Sequence, residues 1–97
     1  MGYRFTWDEE KAVANITNHQ GVTFDEARTV FDNPLAKIFD DETHSFDEIR
    51  EIIIGNSIND RLLLVSFTER PGEIIRIISA RFPTGKERKA YEENISL

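Results

Sequence analysis

The stretch RLLLVSFTERPGEIIRIISARFPTGKERKAYEE, residues 61–93, decides the fold. Two apolar runs within it, Arg61–Thr68 and Glu73–Arg81, have the length and the β-branched content of strands. Between them Arg70-Pro71-Gly72 predicts a tight turn, because proline followed by glycine suits the two central positions of a type II turn. The stretch therefore predicts a long β-hairpin.

Capping boxes open two of the predicted helices. Thr84–Glu87 starts a helix that runs to about Ile95, directly after the hairpin. Thr23–Glu26 starts another, in which the threonine hydroxyl reaches the glutamate N–H and the glutamate side chain reaches back. Asn33-Pro34 ends that helix, because proline disfavours helical geometry in the residue before it.

A third helix is predicted closer to the N-terminus. Asp8 can cap a helix over Glu9–His19, and Ala12, Val13 and Ile16 would form its apolar face.

The remaining apolar runs predict further strands, at Tyr3–Thr6, Leu35–Phe39 and Glu48–Ile54. Consecutive strands with short connections favour an antiparallel sheet, and the helices must cover one face of it to close a core. We therefore predict one α+β domain over residues 1–97. Its sheet has about four antiparallel strands, with two N-terminal helices and one C-terminal helix, in the order β-α-α-β-β-β-α.

Composition excludes several classes of protein. The 39% hydrophobic and 31% charged residues are typical of a soluble globular domain rather than a disordered chain. No cysteine is present, which excludes disulfides and thiolate chemistry. No apolar run has the roughly 18–20 residues of a membrane span, and MGYRFTWDEEK lacks the apolar core of a signal peptide. We expect a cytoplasmic protein with no membrane partner.

Positive charge is concentrated in the second part of the chain. Residues 61–97 contain seven Lys/Arg against five Asp/Glu, whereas residues 1–60 contain five against thirteen. The whole chain has a net charge of −6. Arginines collected on a hairpin and the helix after it, in an acidic chain, indicate a local anion site rather than a basic surface.

Arg81, at the end of the second hairpin strand, is the centre of that candidate site. It can bend towards the helix start at Thr84, whose free N–H groups favour anions. Lys86, Arg88 and Lys89 lie in the first turns of this helix, and together these groups could hold a phosphate. The alternative is that Arg81 pairs with an acidic residue while the lysines are solvated.

Strand alternation separates some of these candidates. It places Ser79 with Arg81 on one face and Arg76 on the other, so the two arginines share a face only if a bulge intervenes. Glu87 is the capping-box acid, and a carboxylate beside arginines could also act as a base. Tyr91, one turn later, could reach the same area or pack on the sheet.

Two histidines, His19 and His44, are candidates for proton transfer. His19 falls at a helix C-terminus and is expected to be a cap. His44 lies in an acidic loop, where carboxylates would raise its pKa. The alternative is that it is an ordinary histidine of a surface loop. Asp40, Asp41, Glu42 and His44 are a candidate metal site, but their spacing matches no standard ligand pattern, so we predict neither a metal nor a cofactor.

The chain resembles a known family over nearly its whole length. The residues that carry the resemblance are Phe5, Trp7, Asp8, Lys11, Ala12, Asn15, His19, Gly21, Val22, Phe24, Glu26, Ala27, Val30–Asp32, Asp41, His44, Ser45, Ile54, Gly55, Ser57, Arg61, Leu62, Phe67–Arg70, RIISAR at 76–81, Thr84, Glu87, Arg88, Tyr91 and Glu92. RIISAR followed by T-x-x-E is the most specific part, and this pattern resembles the BrnT family.

The resemblance implies the toxin of a type II toxin–antitoxin pair, with a RelE-like fold. It implies an endoribonuclease that halts translation and a partner antitoxin with a ribbon-helix-helix domain. It also implies that the complex represses its own operon, so that operator DNA is bound only through the antitoxin.

On this hypothesis the RNA 2′-hydroxyl is the nucleophile, so no metal is needed. Roles would be divided among candidates already named. Arg76 and Arg81 would stabilise phosphate charge, and Glu87 or His44 would move protons. The residues expected to bind RNA are Ser79, Thr84, Lys86, Arg88 and Tyr91.

Three positions depart from the family pattern. Phe82 and Pro83 follow Arg81 where the family has a basic and then a small residue, and Gly85 replaces a commonly basic one. The alternative function is therefore a catalytically weakened or inactive toxin relative that binds an antitoxin and co-represses its operon. A small structural domain without a partner is a third alternative.

Overall fold

The predicted hairpin is present, and its two strands lie inside the sheet, with other strands on both sides. The computed structural model describes residues 2–41, 48–95 and 97. Its elements are β1 (Arg4–Thr6), α1 (Glu9–Asn18), α2 (Phe24–Thr29), a 3₁₀ turn (Val30–Asp32), β2 (Lys37–Asp40), β3 (Glu51–Asn56), β4 (Leu62–Arg70), β5 (Ile74–Arg81) and α3 (Gly85–Glu93). The α+β class is confirmed.

The sheet is larger and more mixed than predicted. Within the described residues it has five strands in the order β1-β5-β4-β3-β2. Neighbours are antiparallel except at one edge, where β1 runs parallel to β5 and Phe5 pairs with Ile75. The predicted four-stranded antiparallel sheet and its order β-α-α-β-β-β-α are therefore wrong. Two parallel strands must be joined by a crossover connection. Here α1, α2 and the strands β2, β3 and β4 lie between β1 and β5 in the chain.

Helices cover both faces of the sheet, not one. The first face packs under α1 and α2, in a cluster that contains Phe24, Ala27, Val65, Phe67 and Ile77. The second face holds a smaller cluster, whose members are Ile52, Ile54, Leu62 and Leu64 with Phe39 and the α3 residue Tyr91 packed on them. Because α3 covers only part of this second face, the rest is open to polar groups.

A bulge in β5 decides which side chains reach the second face. Ser66 pairs with Ser79, but Phe67 pairs with Ile77, so Ile78 is an extra residue in β5. Side chains of cross-strand partners lie on the same face. Arg76 therefore shares a face with Ser79 and Arg81, and plain alternation gave the wrong answer here.

The first helix packs differently from the prediction. Val13 and Ile16 are 67% and 44% exposed, so they do not form a buried face. Ala12 is half-buried against the first cluster, and Asn15 is the buried residue of α1. The contact with the sheet is thus partly polar.

The two predicted capping boxes have different outcomes. At α3 both halves are present, since Thr84 accepts from the Glu87 N–H and Glu87 accepts from the Thr84 N–H. At α2 Thr23 accepts from the Glu26 N–H, but the Glu26 side chain turns elsewhere.

Glu26 binds Arg61 and Ser57 instead of its own helix start. Arg61 donates from Nη2 and, at 2.9 Å, from Nε, and the Ser57 hydroxyl donates over 2.6 Å. Hydrogen bonds from Arg61 lower the pKa of Glu26 to about 2, against the opposing effect of burial. This network joins α2 to the β3–β4 connection.

Within the described residues, no helix is long and apolar enough to cross a membrane.

Candidate active site

A cleft of about 560 Å³ opens on the second face of the sheet, beside the start of α3. Its floor comes from β3, β4 and β5, and the bulge turns both Ile78 and Ser79 into it. The lining residues are Asp40, Asp41, Arg50, Ile52, Leu64, Ser66, Ile78, Ser79, Arg81, Thr84, Lys86, Glu87 and Leu97. Three cations and three carboxylates thus line one concave surface.

Arg81 and Glu87 form a two-pronged ion pair in this cleft. Arg81 Nη1 lies 2.8 Å from Glu87 Oε1, and Nη2 lies 2.9 Å from Oε2. Glu87 Oε1 also accepts from the Thr84 N–H at 2.8 Å. One carboxylate therefore caps α3 and orients the guanidinium at the same time.

The pair changes the acidity of both groups. Hydrogen bonds from Arg81 lower the pKa of Glu87 to about 2, from an ordinary value of 4.5, and the Thr84 N–H acts in the same direction. Glu87 raises the pKa of Arg81, and the charge of Asp41 adds to this. At neutral pH the guanidinium is charged, and the carboxylate is a weak base while Arg81 holds it.

Arg81 has donors beyond those given to Glu87. Nη1 also donates to the Phe82 carbonyl at 3.2 Å. A guanidinium has five N–H groups in a planar fork, so within the described structure some remain for a ligand. With 35% of its side chain exposed, Arg81 can meet an anion that enters the cleft.

Several residues predicted from sequence meet in the cleft. Ser79, Thr84, Lys86 and Glu87 line it together with Arg81. Arg76 lies on the same face but is not part of the lining. His44 falls outside the described residues, as does the Glu42 of the candidate metal site.

Two other predicted RNA-binding residues do not line the cleft. Arg88 is exposed and lies 3.5 Å from Glu92, one turn along α3. Tyr91 packs on the second cluster, and its hydroxyl donates to the Leu35 carbonyl at 3.4 Å. Lys37 lies above its ring, 5.4 Å from the centroid. The structure therefore favours the packing alternative for Tyr91.

His19 ends α1, as expected, and its N–H donates to the Asn15 carbonyl. It also lines a smaller groove with Asn18, Gln20, Arg81 and Phe82. Arg81 thus separates the main cleft from a groove at the end of α1.

Two polar residues of the cleft, Arg50 and Ser66, are not among the predicted site residues, and Asp40 and Asp41 were predicted only as part of a candidate metal site. Ser66 had a usable signal, because it is the one polar residue within LLLVSF at 62–67. Arg50 had no such signal in the sequence, because it precedes β3 and reaches the cleft only through the pairing of β2 with β3. Among the described residues, no group of three His, Asp or Glu side chains is placed to hold a metal ion.

Comparisons with known proteins found a matching family model and a similar fold. A family model described as "Ribonuclease toxin, BrnT, of type II toxin-antitoxin system" matches residues 7–87, which include Arg81 and Glu87. The crystal structure of the Brucella abortus ribonuclease toxin BrnT is similar, with a TM-score of 0.66 and 24% identity over 86% of this chain and 99% of that one. At this identity the second likeness concerns the fold alone. No curated protein matches the chain in sequence.

Proposed function

Because the chain belongs to the BrnT family of ribonuclease toxins of type II toxin–antitoxin systems, we propose that it is a metal-independent endoribonuclease that cuts RNA in the cleft beside Arg81. Cleavage halts translation until a cognate antitoxin binds the protein. The observation that carries this proposal is the Arg81–Glu87 pair in an open cleft, with the cationic group exposed.

The reaction needs charge stabilisation and two proton transfers. The RNA 2′-oxygen attacks the neighbouring phosphorus, the bond to the 5′-oxygen breaks, and a 2′,3′-cyclic phosphate and a 5′-hydroxyl end result. Arg81 binds the non-bridging oxygens, on which negative charge grows in the transition state. Arg76, on the same face, stabilises the adjoining phosphate.

Glu87 accepts the proton of the 2′-hydroxyl in this proposal. Its low pKa depends on the bonds from Arg81. When a phosphate takes over those guanidinium donors, the pKa of Glu87 rises towards its ordinary value, and the carboxylate becomes a stronger base. His44 gives a proton to the leaving 5′-oxygen.

RNA is held by the polar groups around this pair. Ser79, Thr84 and Lys86 line the cleft and are assigned to the sugar–phosphate backbone. Arg88 and Tyr91 belong to α3 outside the lining, and they are assigned to RNA beyond the cut site.

The protein partner is an antitoxin, since the family is that of a type II system. We assign it a ribbon-helix-helix domain, through which the complex reaches operator DNA. The charge of −8 over residues 1–60 suits a basic antitoxin segment. The site of action is the cytoplasm.

The test is induced expression in a bacterium, alone and with the small open reading frame next to its gene, with growth and total RNA followed. We expect arrest with RNA loss, and rescue by the neighbour. Arg81→Ala should abolish arrest, whereas Arg70→Ala should not, because Arg70 pairs with the exposed Glu48 at the hairpin end. Arrest by Arg81→Ala equal to that of the parent would refute the role of Arg81.

Purified protein tests the chemistry separately. Cleavage should persist in a metal chelator and should leave 2′,3′-cyclic phosphate ends. Loss of cleavage with the chelator, restored by one metal ion, would overturn the metal-independent mechanism.

A second candidate function has its own structural observation. Phe82, where the family has a basic residue, packs on the first cluster, and the Arg61 guanidinium lies 5.4 Å from its ring centroid. At this position the chain therefore has a packing residue instead of a charged one. An inactive toxin that only binds an antitoxin and co-represses the operon would tolerate this loss of charge. Absence of arrest and of RNA cleavage, with co-purification of the neighbour, would establish it.

A further inference from the structure

Strand β5 loses its outer neighbour before it reaches Arg81. The parallel partner β1 pairs only with Ile74–Arg76. Further along that side, no other strand pairs with β5 within the described residues, and α1 and α2 contact β5 instead. In a buried edge these groups need partners, since an unpaired one is costly.

Asn15 of α1 takes the place of a strand at Ala80. Its Oδ1 accepts from the Ala80 N–H at 3.1 Å, and its Nδ2 donates to the Ala80 carbonyl at 2.8 Å. A second Nδ2 bond, of 2.9 Å, reaches the Val22 carbonyl. Both amide protons and the amide oxygen are in use, and the residue is only 4% exposed.

The two hydrogen bonds between Asn15 and Ala80 are here called the clamp, and the one to the carbonyl acts on the peptide unit that joins Ala80 to Arg81. The Ala80 carbonyl belongs to the same planar unit as the Arg81 nitrogen, so its bond to Asn15 fixes the orientation of that unit. Arg81 is the last residue of β5, and the chain leaves the sheet directly after it. Its side chain must start from a defined direction to meet Glu87 with two bonds.

We propose that Asn15 is a positioning residue, which aims the Arg81 guanidinium at Glu87 and at the phosphate of the substrate. The phosphate part rests on the proposed function, whereas the Glu87 part does not. An apolar residue of similar size at position 15 would fill the space but would leave the Ala80 N–H and carbonyl without partners. A small displacement of Arg81 would then open the ion pair and the phosphate site together.

The test is Asn15→Ala, read out by the titration of the Glu87 side chain in nuclear magnetic resonance spectra. In the parent, Glu87 should stay ionised over the acid range in which the protein is folded. In the variant it should begin to titrate, with a pKa at least about one unit higher, because Arg81 no longer holds it in two bonds.

The matched control is Val30→Ala. Val30 is fully buried in the 3₁₀ turn, with a methyl group near Gly55, and its truncation lowers stability without removing any hydrogen bond of Asn15. At equal loss of Tm, Val30→Ala should leave Glu87 ionised. A double variant adds a second control, since in an Arg81→Lys background Asn15→Ala should move the Glu87 pKa little further.

Kinetics with a short single-stranded RNA supply the second readout. Asn15→Ala should lower kcat by roughly 10- to 100-fold with little change in KM, because positioning matters most in the transition state. An unshifted Glu87 pKa, with a kcat equal to that of Val30→Ala, would overturn the proposal and leave Asn15 a structural residue.

A folding failure does not stop the test. Asn15→Ser keeps one small hydroxyl, which can donate or accept but cannot serve all three groups, and it should show smaller shifts in the same directions. If the parent cuts no RNA, the proposed nuclease fails, and the titration alone still decides whether Asn15 positions Arg81.

Discussion

Glu26 holds a negative charge at a nearly buried position, and Arg61 balances it. Its pKa of about 2 lies below the ordinary 4.5, so the unfolded chain binds a proton more readily than the folded one. The ion pair therefore contributes stability that is complete above about pH 4.5 and is lost as the pH falls towards 2. Glu26→Gln should cost about 2 kcal/mol at pH 7, after allowance for solvent near Arg61.

Denaturant unfolding at several pH values measures this cost. Glu48→Gln is the control, because Glu48 pairs with Arg70 on the surface and both side chains are more than 40% exposed. That pair should contribute at most about 0.5 kcal/mol. Equal effects of the two substitutions, or no decrease of the Glu26→Gln effect in acid, would contradict the prediction.

Glu51 has the opposite linkage. Burial, then a hydrogen bond and repulsion from Glu69, and repulsion from Asp40 raise its pKa to about 7. On raising the pH, Glu51 loses its proton at a lower pH in the unfolded chain than in the folded protein. The free energy of unfolding therefore falls as the pH rises from about 4.5 through 7. Glu51→Gln should thus stabilise the protein by about 1–2 kcal/mol at pH 8 and give no gain below pH 4.5.

The exposed substitution Glu73→Gln removes the same charge and controls for the net charge of −6. If it stabilised the protein as much as Glu51→Gln at pH 8, general repulsion rather than the local environment of Glu51 would be the cause.

At the element scale, β3 and the segment before β2 approach each other at Gly55. A Cβ at this position would lie 2.6 Å from the Cβ of Ala36 and 3.3 Å from a methyl of Val30. Gly55→Ala should therefore cost about 1–3 kcal/mol through overpacking. Thermal unfolding measures the loss, and Ala36→Gly in the same chain should recover part of it.

Gly85 provides the matched control, because an added Cβ there meets nothing within 4 Å at the start of α3. Gly85→Ala should be neutral or gain up to about 1 kcal/mol. A Gly55→Ala variant as stable as Gly85→Ala would mean that the two backbones are further apart than described.

Sequence signals between neighbouring residues predicted most helices and strands and one of the two capping boxes. The hairpin, the three helices and the Thr84–Glu87 box depend on residues close in sequence, and all are present. Glu26 was misassigned because its partner Arg61 lies 35 positions away, and a buried ion pair prevailed over a local cap. The β1–β5 pairing is also non-local, so no pattern near Arg4–Thr6 could reveal it.

The part of the candidate site whose residues lie close together in sequence was predictable, and the part that depends on strand pairing was not. Arg81, Thr84, Lys86 and Glu87 lie within seven positions, and spacing alone brought them together. The shared face of Arg76 and Arg81 depends on the Ile78 bulge, which leaves no trace in an apolar run. Arg50 reaches the cleft only through strand order.

At the scale of the whole molecule, the proposed ribonuclease would bind RNA against a net charge of −6, so we expect most of its phosphate contacts in the cleft. Arg50, Arg81 and Lys86 are its lining cations, so on the proposed function two or three phosphates would be neutralised there. The logarithm of RNA affinity should then fall with the logarithm of salt concentration with a slope of about −2. Fluorescence anisotropy with a labelled single-stranded RNA measures this slope.

Lys86→Gln should make the slope shallower by about 0.7, because one phosphate contact is lost. Lys11→Gln also removes one positive charge, at an exposed position on α1 outside the lining, and it should leave the slope unchanged. A parent slope steeper than about −4 would show that RNA covers surface far beyond the cleft.

The parallel pairing of β1 with β5 has a consequence for protein synthesis. A ribosome makes Arg4–Thr6 long before Ile74–Arg76, so the N-terminal strand waits without its partner while most of the domain is translated. Throughout that time Val22 and Phe24 have no β5 to pack on, and the guanidinium of residue 81 does not yet exist. The cleft is therefore completed only after the hairpin and the first turn of α3 have emerged, because a half-made chain has the β2 and β3 side of the lining but neither Arg81 nor Glu87.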